Sequence, residues 1–365
     1  MNPIISRREM LKELGIAGAG MAMLTDFVSA QEFRTTSSRR IKIGQIGVGH
    51  AHASKLAVYR ASPEYEVVGI CEPNETLRNS ASGQTLYQGL PWMTQEQLLN
   101  VPGLHAVLVE TEVRHLLDVA EVCVRAGKHV HIDKPAGESL PQFRRILDMA
   151  ARKKLLVQMG YMYRYNPGIV MLREFLERGW LGDVFEVHTV MSKVVGADDR
   201  NGLAAYRGGI LFELGGHVLD TVIRILGQPK KVQGCNQHVS ERKDGLLDNM
   251  LTVLQYPKAL ATVKVSAMEV EGFERRHLVV CGTEGTFHIQ PLDNPSVRLS
   301  LSKDRGERYR RGTQQVALPK YQRYVGDAAD MAKILRGEKS SDFPYAHDLL
   351  VQTTLLQACG LSLHR

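Results

Sequence analysis

The stretch Ile41-Lys42-Ile43-Gly44-Gln45-Ile46-Gly47-Val48-Gly49-His50-Ala51-His52-Ala53-Ser54-Lys55 decides the fold. An apolar run with β-branched residues reaches a glycine turn at Gly47 and Gly49, and helix-tolerant residues follow. Strand, turn and helix in that order present free backbone N–H groups to a pyrophosphate. Gly47 allows the tight turn, and Gly49 lets the backbone approach phosphate without a Cβ in the way. The third position of the motif, where Gly or Ala is expected, is His52, so the fingerprint is incomplete.

A second apolar strand, 65–71, ends in Glu72. A carboxylate at the tip of the second strand accepts hydrogen bonds from the adenosine ribose hydroxyls and repels a 2′-phosphate. Glu72 therefore favours NAD over NADP. The competing reading is a nucleotide-free doubly wound sheet with a glycine turn.

Working outward, residues 1–30 read as a targeting segment rather than as fold. Ser6-Arg7-Arg8-Glu9-Met10-Leu11-Lys12 is a twin-arginine pattern, a glycine-rich apolar segment follows, and Val28-Ser29-Ala30 supplies small residues for cleavage. The apolar segment is too short to span a bilayer. The expectation is a protein exported in its folded state to the periplasm, without stable membrane insertion after cleavage. Residues 31–40 read as a linker. Net charge is +7, partly from the leader and from Arg39 and Arg40. The basic cluster Lys303, Arg305, Arg308, Arg310 and Arg311 is interrupted by Asp304 and Glu307. It has no nucleic-acid motif around it and reads as a solvated hairpin or loop. Five scattered cysteines without a Cys-x-x-Cys give no disulfide framework or metal set.

From residue 41 to 160 the rhythm is strand, helix, strand. Strands are expected at 41–46, 65–71, 105–109, 129–132 and 155–160, and helices at 52–61, 114–126 and 139–153. This alternation means a parallel sheet with helices on both faces. From 161 onward, strand-like runs at 184–193, 231–240, 248–256, 260–268, 276–281 and 285–289 are joined by hairpin-like turns such as Tyr256-Pro257-Lys258. Helices are expected at 209–226 and 345–363. The fold class is α/β: a doubly wound, Rossmann-type domain over 41–160, then an α+β domain over 161–365 with a largely antiparallel open sheet.

Three constellations could carry chemistry. Lys134, in His131-Ile132-Asp133-Lys134-Pro135, follows strand 129–132 at the sheet edge where ligands bind. It is either a solvated lysine or the group that polarises a substrate hydroxyl. Within 209–226, Glu213, His217, Asp220 and Arg224 fall on one stripe at helical spacing. Such a stripe is either a solvated polar face or a general base with its orienting partners. Gly215 and Gly216 within that helix imply that something packs closely against it. Gly160-Tyr161-Met162-Tyr163-Arg164-Tyr165-Asn166-Pro167 places hydroxyl and guanidinium donors at the domain junction, lining either a polyol site or an aromatic contact. His50 and His52 could ligate a metal, but no carboxylate or cysteine cluster is seen to complete the set, and no metal is expected.

These pieces in this order resemble the Gfo/Idh/MocA oxidoreductases, which include glucose–fructose oxidoreductase and inositol dehydrogenases. The matching features are Gly47-x-Gly49, Glu72, Thr111…His115, Gly127-Lys128-His129-Val130 leading to Lys134-Pro135, Arg164-x-Asn166-Pro167, and Gly208-Gly209…Glu213-x-x-x-His217-x-x-Asp220. Asp133 stands where the family usually has Glu, Glu213 where it has Asp, and His52 where it has a small residue. The resemblance implies hydride transfer between a sugar, polyol or glycoside carbinol and NAD, and homo-oligomerisation through the C-terminal sheet. By position, Lys134 would bind the reacting hydroxyl, His217 would be the acid/base, and Glu213 and Asp220 would orient substrate and imidazole. Gly47, Gly49, His50, His52, Glu72, Thr111, His115, Asp133 and Lys134 would hold the cofactor, and Tyr161, Arg164 and Asp220 would contact substrate. A redox-neutral glycoside cleavage on the same site, and a non-catalytic nucleotide- or sugar-binding protein, are the alternatives.

Overall fold

A computed structural model describes residues 40–364. The expected leader, residues 1–30, and all of the linker before Arg40 lie outside the described residues.

Five strands form a parallel sheet: β1 (Ile41–Ile46), β2 (Tyr65–Cys71), β3 (Leu104–Val109), β4 (His129–Ile132) and β5 (Val157–Met159), in the order β2-β1-β3-β4-β5. Between them run α1 (Leu56–Ala61), α2 (Glu75–Ser82), α3 (Gln95–Leu99), α4 (Leu116–Arg125) and α5 (Leu140–Arg152). The central strand β3 is covered on both faces, which is why it reads as a nearly continuous apolar run. Helices α2 and α3 were not anticipated. Their openings carry local signals nonetheless: Asn74 caps α2, and Thr94 with Gln97 forms a capping box on α3.

After α6 (Pro167–Glu177) comes an eight-stranded sheet in the order β13-β12-β11-β10-β6-β9-β8-β7. Its strands are β6 (Val184–Val190), β7 (Lys231–Gln237), β8 (Asn249–Gln255), β9 (Leu260–Ser266), β10 (His277–Gly282), β11 (Gly285–Ile289), β12 (Val297–Leu301) and β13 (Gly312–Val316). All pairs are antiparallel except β6 with β9. Burial alternates along β8 and β9, with one face on helices and one open. Strands β12 and β13 were not anticipated. The basic cluster is the loop joining them, with Lys303 and Arg305 paired to Glu284.

The remaining helices are α7 (Ala197–Ala204), α8 (Gly209–Leu214), α9 (Gly216–Leu226), the single turn α10 (Gly272–Arg275), α11 (Val325–Leu335) and α12 (Tyr345–Ala358). The expected helix 209–226 is therefore two segments meeting at Gly215, which keeps helical angles (φ −65°, ψ −29°). The close approach implied by the glycine pair is present at Gly216, where an added Cβ would lie 3.2 Å from the Tyr161 ring. Helices α11 and α12 run back to the first sheet. Tyr65 Oη donates to the Ala328 carbonyl at 2.7 Å, and Gln352 Nε2 donates to the Gly137 carbonyl at 2.6 Å. The first contact holds α11 at the start of β2, and the second holds α12 against the turn that follows β4.

Candidate functional site

The glycine turn is built as its sequence requires. Gly47 has φ +94°, and a Cβ there would sit 2.3 Å from the Thr111 backbone nitrogen. Its N–H donates to the Cys71 carbonyl at 2.8 Å, pinning the turn between the ends of β2 and β3. Glu72 is buried and accepts the Val48 N–H on Oε2 at 2.8 Å and the Asn74 N–H on Oε1 at 2.9 Å. With Thr111 and His115 it lines a hollow of about 250 Å³. A longer cleft of about 970 Å³ continues past Gly49 and His50 to Lys193 and Glu213. A turn that excludes Cβ, a carboxylate beside a hollow and a cleft running from the turn to Glu213 fit a dinucleotide.

At the other end of the cleft, the β4 edge brings Lys134 against α8. Its Nζ donates to the Glu213 carbonyl oxygen at 2.8 Å and to Glu213 Oε1 at 3.0 Å. Burial opposes the charge on Glu213, but Lys134, followed by His50, holds the carboxyl below its ordinary range. His217 lies one turn further on, 3 % exposed, with the Tyr163 ring at 5.2 Å and the His52 ring at 5.9 Å. Burial, then Lys134, pushes its pKa well below that of a free imidazole, so it is neutral. Its Nδ1 is buried with no hydrogen-bond partner among the described residues. A buried polar atom left unpaired costs about 1–3 kcal/mol.

Beneath Lys134 lies a buried charged cluster. Lys55 Nζ donates to His131 Nε2 at 2.7 Å and to Asp133 Oδ2 at 2.5 Å, and stands 3.0 Å from Glu110 Oε1. Burial disfavours this ammonium, but Asp133 and Glu110 more than offset that and keep it charged. Asp133 also accepts the Lys134 N–H at 2.7 Å and the His52 Nδ1–H at 3.0 Å. Burial works against its charge too, yet His50, Lys55 and His52 hold it well below the usual carboxylate range. Burial lifts Glu110 well above that range despite Lys55. His50 Nδ1 accepts the His52 N–H at 3.1 Å, which leaves Nε2–H to donate to the Lys134 carbonyl at 3.1 Å. Burial lowers its pKa to about 4.

Two expectations are corrected here. A carboxylate does join the histidine pair: Asp133, with ligating atoms of His50, His52 and Asp133 within 4.8 Å of one another. It lies 81 residues from His52, beyond the reach of a spacing argument. The neighbouring set Glu110, His131 and Asp133 is already served by the Lys55 ammonium. Second, Asp220 does not orient His217. It accepts Arg164 Nη2 at 2.6 Å and pairs with His347 Nε2 at 2.9 Å. Arg164 in turn reaches Asp348 at 2.5 Å and stacks on Phe343, so its charge is spent within the protein and not on substrate. Tyr161 is 1 % exposed, packed between Arg164 and Gly216. Of the expected substrate set, Arg164 and Asp220 thus form a structural ion cluster behind the site.

Lys55, Glu110 and His131 were missed as site residues, and Tyr163 was read only as one member of the stretch 160–167. Glu110 carried a signal, a carboxylate closing the apolar run 106–109. Lys55 sits three residues past His52, the helical spacing that puts both on one side.

Residues 41–161 match the oxidoreductase family with an NAD-binding Rossmann fold, and residues 169–288 match the GFO/IDH/MocA C-terminal domain. The chain belongs to the Gfo/Idh/MocA family of oxidoreductases. It is 23% identical over 282 residues to the myo-inositol 2-dehydrogenase of Thermotoga maritima, covering 74% of this chain and 81% of that one. It is 25% identical over 313 residues to the dTDP-3,4-didehydro-2,6-dideoxy-alpha-D-glucose 3-reductase of Streptomyces violaceoruber, covering 83% and 87%. An oxidoreductase from Agrobacterium radiobacter, solved in complex with NAD+, L-tartaric acid and magnesium, superposes with a TM-score of 0.74 at 15% identity, covering 88% and 96%. That likeness concerns the fold.

Proposed function

We propose that this chain oxidises a carbinol of a sugar, polyol or glycoside, passing a hydride to a tightly held NAD. The observation that carries the reading is the pairing at the β4 edge. The buried Lys134 Nζ is fixed by Glu213 beside a His217 whose Nδ1 is without a partner among the described residues. NAD, when bound, supplies the hydride acceptor. Lys134 Nζ, redirected in part from Glu213 to the substrate hydroxyl, stabilises the negative charge developing on its oxygen. His217, neutral at physiological pH, takes the hydroxyl proton as the carbon is oxidised. Tyr163, whose hydroxyl donates to Asp293 at 2.8 Å, packs edge-on to the imidazole and restricts its rotation. The relatives named for inositol and deoxysugar chemistry support the substrate class.

Glu72 beside the adenosine hollow supports NAD over NADP. The leader pattern supports export by the twin-arginine route to the periplasm. A cofactor carried there needs a Kd well below micromolar, about −10 kcal/mol or better. Among the described residues no helix is long and apolar enough to cross a membrane. The open face of the eight-stranded sheet is the surface proposed for homo-oligomerisation, which light scattering of the purified protein tests.

A second reading, redox-neutral glycoside cleavage, is favoured by one observation: a second histidine, His52, stands beside His217 with a carboxylate behind it. The experiment is to purify the protein without nucleotide, identify what denaturation releases, and analyse products from a panel of glycosides and polyols. A ketosugar marks the dehydrogenase, and a free sugar of unchanged oxidation state marks the hydrolase. Absence of bound nucleotide, with activity strictly dependent on added NAD, would overturn the retained cofactor. Mainly NADP in the released fraction would overturn the cofactor choice.

A further inference from the structure

His52 occupies the motif position that calls for a small residue, and its ring is hydrogen-bonded to Asp133 and stands beside His217. Its ring turns sideways from the glycine turn into the space between β4 and α9. Nδ1–H donates to Asp133 Oδ1 at 3.0 Å, which fixes the tautomer and leaves the lone pair on Nε2. No described residue hydrogen-bonds to that Nε2. The ring faces His217 at 5.9 Å and 40°, with Tyr324 at 5.8 Å and His50 at 5.1 Å.

The support beneath it is rigid. Asp133 is fully buried and is held by the Lys134 N–H on Oδ1 and by Lys55 Nζ on Oδ2. Lys55 is in turn fixed by His131, whose Nδ1–H donates to Gln158 Oε1 at 2.9 Å. A carboxylate so constrained can orient an imidazole and stabilise it when it gains a proton, the arrangement that a general base requires. Among the described residues no carboxylate is hydrogen-bonded to His217. The site therefore holds two imidazoles of different construction, close enough to serve neighbouring carbons of one substrate.

We propose that His52, backed by Asp133, is a second acid–base residue of the reaction centre, exchanging the proton on the carbon next to the one oxidised. It rests on the reading of Lys134 and His217 given above. Once the carbinol has become a carbonyl, His52 Nε2 takes the proton from the adjacent carbon. The electron pair of that C–H bond moves into the carbon–carbon bond, and the carbonyl π pair moves onto oxygen. The resulting enolate oxygen lies where Lys134 Nζ can stabilise it. Return of a proton from His52 restores the ketone, and return of the hydride restores the alcohol. No further oxidant or reductant enters.

The test has two arms. In the first, the protein with its retained nucleotide is incubated in D₂O with the keto form of whichever carbinol reduces the bound NAD, and deuterium is read by mass spectrometry. Wild type is expected to place deuterium on the carbon adjacent to the carbonyl. His52→Gln should lower exchange about 10²-fold relative to NAD reduction measured on the same preparation, the usual worth of a positioned base. An unchanged ratio, or NAD reduction without any exchange in wild type, would overturn the inference while sparing the hydride reading. If no carbinol reduces bound NAD, both fall. In the second arm, ¹⁵N NMR of labelled histidine reads the tautomer without substrate. His52 is expected to be unprotonated at Nε2, changing in Asp133→Asn. A proton on Nε2 in wild type overturns the assignment, whether or not the Asn variant folds.

Discussion

The glycine turn and the cluster beneath Lys134 lie at the same carboxyl edge of one parallel sheet, yet they are built in opposite ways. The turn presents backbone, and its essential residue is one that lacks a Cβ. The cluster is made of side chains from the ends of two strands, β3 and β4, and from the residue before α1: Lys55, Glu110, His131 and Asp133, all 1 % exposed or less. One region works by leaving space where a Cβ would stand. The other gathers charged side chains in the interior beneath Lys134, close to a His217 whose pKa is lowered by burial and by Lys134. The comparison teaches that affinity for the nucleotide and chemistry at its far end are separable, and variants should separate them.

The largest effect is expected at the chemical end. Lys134→Ala or His217→Ala should slow reduction of bound NAD by about 10²–10⁴-fold while nucleotide retention persists, as single-turnover absorbance and nucleotide release would measure. Next in size is the support. Lys55→Met leaves Asp133 and Glu110 without their cation, and a broken buried pair costs about 3–5 kcal/mol, to be read by chemical denaturation at neutral pH. The turn should respond differently. Gly47→Ala puts a Cβ against the Thr111 backbone at a left-handed φ, with a strain of order 1–3 kcal/mol. Its signature is loss of retained nucleotide without a matching loss in the chemical step once NAD is added in excess.

The contrast also explains what could be read from sequence. The turn, Glu72 and Lys134 were legible because each is a local event at the end of an apolar run. The Lys55–Glu110–Asp133 cluster was not, because its members are separated by 55 and 23 residues and only the sheet order brings them together. The stripe on 209–226 was read correctly in direction but not along its length. Asp220 lies about 4.5 Å further along the axis than His217, and that is far enough to meet Arg164 and His347 instead of the imidazole. Helical periodicity fixes a face, whereas partners are set by what crosses that face.

A smaller effect sharpens the comparison through pH. His50 is buried neutral with its pKa lowered to about 4 from 6.5. The unfolded chain therefore binds the extra proton between those values, and stability falls as pH drops through this window, by at most about 1.4 kcal/mol per pH unit. His50→Gln should flatten that slope in denaturation series at pH 4 to 7. The smallest effect is expected at Glu72. Glu72→Ser relieves repulsion of a 2′-phosphate and should narrow the preference for NAD over NADP without changing the rate of the chemical step, as competition binding would measure.

The most direct measurement is single-turnover reduction of the retained nucleotide. Wild-type protein and His217→Ala, each shown by mass spectrometry to carry NAD, are mixed with the same sugars, polyols and glycosides, and the appearance of reduced nicotinamide is followed. At least one carbinol is expected to reduce the wild-type nucleotide, and to do so at least about 10²-fold more slowly in His217→Ala. Equal rates in the two proteins would contradict this, as would a wild-type nucleotide that no carbinol reduces.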